Sequence, residues 1–420
     1  MKLLKSTGIR QSVFTVIGNL MGTGIAAIAV ILLIRILGPE KYAEFSVGFA
    51  IVLMLTRLND LGLNPTIVKF ASELKTNSEK NFIYNYALKY KLLVSTIIIL
   101  LGVFFYKPIA EILKLNEPLI ILLSFSFGLA TVYYEYLLSI FQSLHSFGKT
   151  VLINTIQAIV KLLAVGTLFF IGSQNILPAY FWYIFATFIP VFFARKLLPD
   201  WFKIDFNRSN KKLQKKILSL ASHASIGLIA AGLIENIDIL FVQKYLTAYE
   251  TGLYGGISRI ALFFAIVAYS LGNVLNARAS KYKSKEHISA FLKKSFILSA
   301  LIILSFALFV PLANPLIFYS IGAEFLSGNL ILIILTAGSF FALAAIPFIA
   351  IFFALEANWY FSVSGILQLI IVLTGNFMFV PEHGLIAAAW TRFATRLFLL
   401  LFTVISSIVV YKKQYGKVAA

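Results

Sequence analysis

The residues of this sequence that could do chemistry are charged residues set inside long apolar stretches. Six are basic and four are acidic, so the set has a surplus of two positive charges. Such a surplus favours a ligand with a phosphate or diphosphate group, because guanidinium and ammonium groups donate strong hydrogen bonds to phosphate oxygens. The basic residues are Arg35, Arg57, Lys161, Arg259, Arg392 and Arg396, and the acidic residues are Asp60, Glu135, Glu235 and Asp238.

The energetic cost of these charges indicates where they must lie. At the centre of a membrane helix each costs about 2.5–3.5 kcal/mol on insertion scales. Facing lipid, the whole set would cost roughly 25–35 kcal/mol, which exceeds the stability of about 5–15 kcal/mol of a typical protein. We therefore expect most of them to face a bundle interior or a water-filled cavity.

Three basic residues give the clearest signal for such a cavity. Lys161 lies in the middle of TIQAIVKLLAVGTLFF, without a carboxylate at helical spacing. Arg392 and Arg396 are four residues apart on one helix face, where they repel each other unless an anion or a carboxylate lies between them. Glu235 and Asp238 could supply that carboxylate, or they could bind a coupling cation or proton. The sequence leaves both roles open.

The other charges also have purely structural explanations. Arg35 and Arg259 lie near helix ends, from which a long side chain can reach the lipid headgroups. Arg57 and Asp60 are three residues apart on one face and could neutralise each other. Glu135, in VYYEYLL, lies among tyrosines of the kind that mark a membrane interface.

The sequence lacks patterns for catalysis or metal binding. It has no cysteine, and its four histidines, at 145, 223, 287 and 383, lack metal-ligand spacing. The stretch SFGKT at 146–150 ends like a phosphate-binding loop, but Ser143 stands where that loop needs glycine. The longest connection has about twenty residues, too few for a catalytic domain. We therefore expect a protein that is not an enzyme and has neither a metal nor a cofactor.

The composition is typical of a membrane protein. Hydrophobic residues make up 60% of the 420 residues and charged residues 13%, against about 45–50% and 25% in soluble domains. The mean hydropathy is +0.90. A net charge of +19 would suggest a nucleic-acid partner for a soluble protein. Here we expect the basic residues to set topology and to contact anionic membrane lipid, with no nucleic-acid partner.

Twelve apolar stretches are long enough to cross a bilayer, which takes about 20 residues. With the N-terminus in the cytoplasm, 26 Lys and Arg residues fall on the cytoplasmic side and four on the other. This asymmetry predicts a multi-pass protein of the cytoplasmic (inner) membrane with both termini in the cytoplasm. The predicted spans are 13–34, 44–66, 88–106, 118–140, 150–171, 177–195, 217–241, 253–275, 293–313, 329–353, 359–380 and 385–409.

The sequence repeats itself at about half its length. Residues 37–45 align with 246–254 at an offset of 209, and LPAYFW at 177–182 aligns with LIAAAW at 385–390 at an offset of 208. Two halves of six helices each would be related by an axis along the membrane normal. The predicted domains are an N-lobe at 1–195, a basic cytoplasmic linker at 196–216 and a C-lobe at 217–420.

Several phrases of the chain resemble one family of membrane proteins. Gly18-Asn19, Arg35, LGPEKYAEFS and NDLGLNPTIVKFAS at 59–72 are similar to the start of polysaccharide repeat-unit flippases of the Wzx type. ENIDILFVQKYL, ETGLYGGISRI and IGAEFLSGNLILIIL at 321–335 are similar to the second half of that family. The family shares the MOP superfamily with MATE exporters and with the lipid II flippase MurJ. MurJ-type proteins have two further helices.

The resemblance implies a MATE-like, all-α fold with two six-helix lobes in a V around a cationic central cavity. The cavity would take the head of a polyprenyl-diphosphate-linked oligosaccharide, with the six basic residues named above as candidate contacts. Asp60, Glu235 and Asp238 would be charge partners or coupling sites for a proton or a sodium ion. Alternating access of the lobes would carry out transport, with other polysaccharide assembly proteins as further partners.

Two other functions fit part of the sequence. A MATE-type multidrug or cation antiporter predicts an acidic, aromatic-lined cavity, which the positive surplus opposes. A membrane polysaccharide polymerase or ligase would need a sizeable loop outside the cytoplasm, and the predicted loops on that side are short. We therefore favour the export of a lipid-linked oligosaccharide.

Overall fold

The computed structural model describes residues 7–171, 175–279, 284–357 and 359–415, and within these ranges it is helical with no strand. A helix satisfies its backbone hydrogen bonds within one segment, as the hydrocarbon core of a bilayer requires. The helices are α1 (Thr7–Asp60), α2 (Leu63–Thr66), α3 (Asn77–Ile112), α4 (Leu119–Ser143), α5 (Phe147–Ile171), α6 (Ile176–Phe185), α7 (Phe188–Lys196), α8 (Lys211–Ile234), α9 (Ile237–Tyr245), α10 (Ala248–Ala279), α11 (Lys285–Phe309), α12 (Ala313–Ser320), α13 (Asn329–Ala354) and α14 (Trp359–Tyr415).

The longest helices, α1 and α14, each consist of two helices joined at a glycine. They have 54 and 57 residues, and at about 1.5 Å per residue each is more than twice as long as a hydrocarbon core of about 30 Å. Gly38 and Gly384 have φ angles of 66° and 63°, a left-handed conformation that glycine adopts without strain. Each glycine interrupts its helix there, and Pro39 follows the first of them.

The helices confirm a multi-pass membrane protein. Nine helical segments of the described chain are long and apolar enough to cross a membrane. Two of these nine are the helices broken at Gly38 and Gly384, each with enough residues for two crossings. The 32-residue helix α10 adds a further long helix outside those nine. The count of twelve spans stays a prediction.

The chain forms two compact units, Met1–Gly232 and Leu233–Ala420, called unit 1 and unit 2. In unit 1, α1 packs against α4 and α5. The ring of Phe45 meets those of Tyr180 and Tyr183 edge-on, at centroid distances of 5.4 and 5.2 Å. The lobes predicted at 1–195 and 217–420 stay a prediction.

A second part of the unit 1 core joins α3, α4 and the start of α8. The hydroxyl groups of Tyr84 and Ser143 lie 2.7 Å apart, and the Tyr136 hydroxyl donates to the backbone carbonyl of Tyr84 at 3.1 Å. Leu213 and Ile217 of α8 are buried in the same cluster. These contacts attach the first turns of α8 to unit 1.

Unit 2 is built around α13, which packs against α10, α11 and α14. Its core includes Phe348 and Ile351 of α13, both fully buried, with Leu399 and Leu400 of α14 packed in the same cluster. α13 is buried on several sides, which agrees with its nearly uninterrupted apolar sequence.

The repeated phrases lie at helix junctions. Leu37 precedes the break at Gly38, and the aligned Leu246 has an extended backbone between α9 and α10. LIAAAW follows the break at Gly384, and the aligned LPAYFW lies at the start of α6. The sequence repeat thus corresponds to equivalent junctions in the two units.

Some residues behind the predicted topology lie outside the described ranges, namely Lys2, Lys5, Lys281, Lys283 and Lys417. One lysine lies inside a long apolar helix. Lys91 lies in α3, with a side chain only 3% exposed.

Candidate functional site

In unit 2, two acidic residues lie at and just after a break between helices. α8 ends at Ile234 and α9 begins at Ile237. The backbone carbonyl of Glu235 therefore lies outside both helices, and it accepts a hydrogen bond from Nη2 of Arg392 at 2.7 Å. The break provides a backbone acceptor for an arginine that is 157 residues away in the sequence.

Asp238 is the centre of this cluster. Its side chain is 1% exposed, and both carboxylate oxygens lie 2.6 Å from Nη2 of Arg392. The hydroxyl group of Tyr254 also donates to this carboxylate, as does the backbone N–H of Ile239 at 3.0 Å. A buried carboxylate with several donors is well satisfied, as burial of a charge demands.

The second acid of the cluster, Glu235, is more accessible. Its Oε1 accepts a hydrogen bond from Nη2 of Arg396, and its Oε2 lies 4.0 Å from Nη1 of Arg392. The Glu235 side chain is 34% exposed and that of Arg396 is 15% exposed. The half-buried Arg259 adds a further positive charge near Glu235. The two arginines of α14 are therefore held together by carboxylates, one of the two roles that the sequence left open.

In unit 1, Asp60 ends helix α1 and forms a buried ion pair. Leu61 and Gly62 follow with left-handed φ angles of 47° and 72°. Oδ1 of Asp60 accepts the backbone N–H of Asn64 at 3.1 Å and lies 2.6 Å from Nζ of Lys91. Both side chains of the pair are no more than 4% exposed. Asp60 thus both caps the turn and neutralises a lysine inside the helices.

Arg57 has another partner, although Asp60 is only three residues away. Its Nη1 lies 3.2 Å from Oε2 of Glu135 on α4, and the two side chains are 42% and 25% exposed. Asn59, which lies between Arg57 and Asp60 in the sequence, donates a hydrogen bond to Oγ of Ser95 at 2.7 Å. Arg57 and Asp60, which the sequence suggested could neutralise each other, therefore belong to two separate ion pairs that link α1 to α4 and α3.

Lys161 and Arg35 lie apart from these clusters. Nζ of Lys161 on α5 lies 4.7 Å from the ring centroid of Tyr183, which is a cation–π contact. In the residues that the structure describes, no carboxylate lies within 4 Å of this ammonium group. Arg35 is exposed on α1, next to the fully buried Leu33 and Ile34.

Each unit has one more cation than carboxylates among these intramembrane charges, Arg35 left aside. In unit 1 the two ion pairs balance and Lys161 is the surplus charge. In unit 2 Glu235 and Asp238 face Arg392 and Arg396, and Arg259 adds a third positive charge near Glu235. No group of three or more potential metal ligands occurs in the described ranges. The arrangement suits attraction of an anion more than it suits metal binding.

Two residues of these clusters were not in the predicted set of contacts and charge partners, Lys91 and Glu135. A signal for Lys91 exists in the sequence. Asn81, Asn85, Lys91 and Ser95 recur at the spacing of one helix face, and all four are buried. A polar stripe on a membrane helix indicates a face that packs against other polar groups.

A glycine fixes how closely α8 approaches Arg57. A Cβ atom at Gly232 would lie 2.4 Å from Cγ and 2.7 Å from Cβ of Arg57. We expect Gly232→Ala to force α8 and α1 apart and to destabilise the protein by about 1–3 kcal/mol, the usual cost of overpacking. Unfolding of the purified protein in detergent measures the change.

Gly166→Ala is the matched control for this prediction. Gly166 lies in α5, and a Cβ atom there would have no heavy atom within 4 Å. Alanine at an open helix position should leave stability equal or slightly raised. Equal stability of the Gly232 and Gly166 variants would contradict the close packing of α8 on Arg57.

Known structures share the fold of the chain. An inward-facing multidrug resistance MATE family transporter of the MOP superfamily matches with a TM-score of 0.76 and 11% identity, over 94% of this chain and 96% of that one. The lipid II flippase MurJ in an inward closed conformation matches with a TM-score of 0.75 and 17% identity, over 96% and 89%. A MOP superfamily transporter from Pyrococcus furiosus matches with a TM-score of 0.62 and 13% identity, over 94% of each chain.

These identities are low, so the structural matches establish the fold alone, the all-α fold that these three membrane proteins share. No curated protein is similar enough in sequence to match the chain. The family described as "Polysaccharide biosynthesis protein" matches residues 9–275, which is more than half of the 420 residues. The chain therefore belongs to the polysaccharide biosynthesis protein family.

Proposed function

We propose that the protein is a flippase that moves a polyprenyl-diphosphate-linked oligosaccharide from the cytoplasmic to the outer leaflet of the cytoplasmic membrane. The observation that carries this proposal is Lys161, whose ammonium group contacts the ring of Tyr183 and, among the described residues, has no carboxylate within 4 Å. Membership of a polysaccharide biosynthesis family supports a saccharide cargo. The resemblance in fold to a lipid II flippase agrees with a lipid-linked one.

The diphosphate is the part of this substrate that the basic residues would recognise. An ammonium or guanidinium group donates charge-assisted hydrogen bonds to phosphate oxygens. Lys161 can bind phosphate without first breaking an ion pair, because its contact in the structure is with the ring of Tyr183. Arg396 would leave its ion pair with the partly exposed Glu235 and bind phosphate instead. Arg392 would keep its ion pair with the buried Asp238.

The remaining predicted roles complete this proposal. Arg35, Arg57 and Arg259 are the other candidate contacts. Asp60, Glu235 and Asp238 are charge partners or coupling sites for a proton or a sodium ion. One charge that crosses 100 mV gains about 2.3 kcal/mol, so a single coupled ion biases the cycle. The protein works without catalysis, with both termini in the cytoplasm and with other polysaccharide assembly proteins nearby.

Substrate accumulation tests the proposal. In cells that lack the protein, we expect the lipid-linked oligosaccharide to collect several-fold on the cytoplasmic leaflet, because the polar head cannot cross the hydrocarbon core unaided. Oxidation of the sugar by a membrane-impermeant reagent in right-side-out and inside-out vesicles measures its leaflet. The control is the same strain with the wild-type chain restored. Collection on the outer leaflet would refute the direction, and no collection would refute the substrate.

A further inference from the structure

The connection between α7 and α8 carries a dense positive charge on an ordered segment. We call residues 200–216 the basic strap. It has two acidic residues, Asp200 and Asp205. Its six basic side chains are all exposed, and they are Lys203, Arg208, Lys211, Lys212, Lys215 and Lys216.

Side chains of α3 hold the backbone of the strap. Asn81 accepts the N–H of Lys203 at 3.1 Å and donates to its carbonyl at 2.9 Å. Asn85 donates to the same carbonyl at 2.8 Å and accepts the N–H of Asp205 at 2.9 Å. Trp201 stacks on Tyr84, with ring centroids 6.2 Å apart. The strap is therefore fixed to a membrane helix and does not behave as a loose tether.

The fixed part of the strap presents apolar side chains as well as charge. Ile204, between the two anchored positions, is 52% exposed, and Phe206 is 39% exposed. Lys203 and Arg208 flank them, both exposed. Apolar side chains beside basic ones are typical of segments that lie in the headgroup region of a bilayer. A positive charge that serves topology alone does not require Ile204 or Phe206 at these positions.

The lysines at the start of α8 are not explained by helix stability either. Lys211, Lys212, Lys215 and Lys216 occupy its first two turns, and the first turn has no acidic residue. The N-terminal end of a helix has a partial positive charge, so basic residues there are unfavourable. An external anionic surface would offset this repulsion.

The position of the strap restricts which anionic surface it can meet. It follows the apolar segment Ile176–Lys196 and ends within the first turns of the segment Lys211–Tyr245, both able to cross a membrane. Its anchors lie on α3, part of another such segment. The strap is thus held at the ends of segments that are able to cross a membrane, where we expect the lipid headgroups to lie.

We propose that the basic strap is a binding site for anionic glycerophospholipid of the cytoplasmic leaflet. Lys203, Arg208 and the lysines of α8 contact the phosphate groups, and Ile204 and Phe206 enter the boundary between headgroups and acyl chains. This site is independent of the proposed transport of a lipid-linked saccharide. It fixes the depth of α3 and α8 in the bilayer and makes the protein sensitive to lipid composition.

Quenching of Trp201 by brominated lipid tests the proposal. The chain has four tryptophans, and replacement of the other three, Trp182, Trp359 and Trp390, by phenylalanine leaves the one in the strap. In nanodiscs, we expect brominated phosphatidylglycerol to quench the fluorescence of Trp201 at least about three times as strongly as brominated phosphatidylcholine does. The reason is that each lysine near the surface attracts anionic lipid.

Two sets of variants separate charge from insertion. The strap triple variant is Lys211→Gln/Lys212→Gln/Lys215→Gln. It should bring the ratio of quenching by phosphatidylglycerol to quenching by phosphatidylcholine close to one. Ile204→Ser/Phe206→Ser removes no charge and should lower quenching by both lipids equally, since the strap then lies less deep. The matched control replaces three exposed lysines of α11 and should leave the ratio of quenching unchanged. It is Lys285→Gln/Lys293→Gln/Lys294→Gln.

Three results would overturn the proposal. They are an unchanged lipid ratio in the strap triple variant, an equal fall in the α11 control, and unchanged quenching after Ile204→Ser/Phe206→Ser. If the single-tryptophan chain does not fold, the two triple lysine variants are made in the chain with all four tryptophans. Their thermal unfolding temperatures are then measured in the two lipids instead of the quenching. The stabilisation by phosphatidylglycerol over phosphatidylcholine should then be lost in the strap triple and kept in the control, and the reverse result refutes the site.

Discussion

Asp238→Asn is expected to destabilise the protein by about 3–5 kcal/mol, the usual cost of leaving one partner of a buried ion pair without its counter-charge. The side chain of Arg392 is 9% exposed. The close contacts of its guanidinium group are the Asp238 carboxylate and the backbone carbonyl of Glu235. Asparagine keeps an acceptor for the Tyr254 hydroxyl, so the loss reports the charge rather than that hydrogen bond. Unfolding in a detergent series measures it.

The double variant Asp238→Asn/Arg392→Met shows whether the loss comes from the orphaned charge. With both charges removed, the desolvation penalty disappears, and a buried pair replaced by neutral side chains is often close to neutral in stability. We expect the double variant to regain most of the lost stability, short of about 1 kcal/mol for the hydrogen bond to the Glu235 carbonyl. A double variant whose loss of stability equals the sum of the losses in Asp238→Asn and Arg392→Met would show that the two side chains are not coupled.

Lys161→Glu is expected to abolish flipping while the chain still inserts into the membrane. In the proposed function the ammonium group contacts the diphosphate, and one charge-assisted hydrogen bond contributes about 1.5–3 kcal/mol, which is tenfold or more in transport. A carboxylate in its place adds repulsion. Transport of the lipid-linked oligosaccharide in cells or proteoliposomes, normalised to the amount of inserted protein, measures the effect.

Two further substitutions of Lys161 separate transport from folding. Lys161→Met removes the charge and should fold at least as well as the wild type, because no carboxylate of the described residues lies within 4 Å to be orphaned. It should still lose transport. Lys161→Arg keeps the charge and should retain most of it. Unchanged transport in Lys161→Met would show that the ammonium group of Lys161 does not take part in transport.

The two predictions differ because the two cations have different surroundings. Arg392 is tied to a buried carboxylate, and its removal or isolation acts first on the fold. Lys161 lies beside an aromatic ring, so its substitution acts first on what the lysine binds. The sequence indicated part of this contrast, since Lys161 has no carboxylate at helical spacing, and it left open whether Asp238 is the partner of Arg392.

The sequence alone was sufficient for the membrane class, the helical architecture and the repeat, since hydropathy and spacing are properties of the local chain. It also showed which charges had to be sheltered from lipid, because the cost of a charge in hydrocarbon depends on the residue rather than on its neighbours. The junctions at Gly38 and Gly384 likewise fall between predicted spans, the first between 13–34 and 44–66 and the second between 359–380 and 385–409.

The partner of each charge was decided only by the tertiary structure. Arg57 pairs with Glu135, 78 residues away, rather than with Asp60 three residues away, and Asp60 pairs with Lys91, 31 residues away. Arg392 and Asp238 meet across 154 residues. The physical reason is that desolvation leaves a buried charge stable only where packing brings an opposite charge to hydrogen-bonding distance. Which helix does so depends on how all the helices pack, and no local pattern in the chain contains that information.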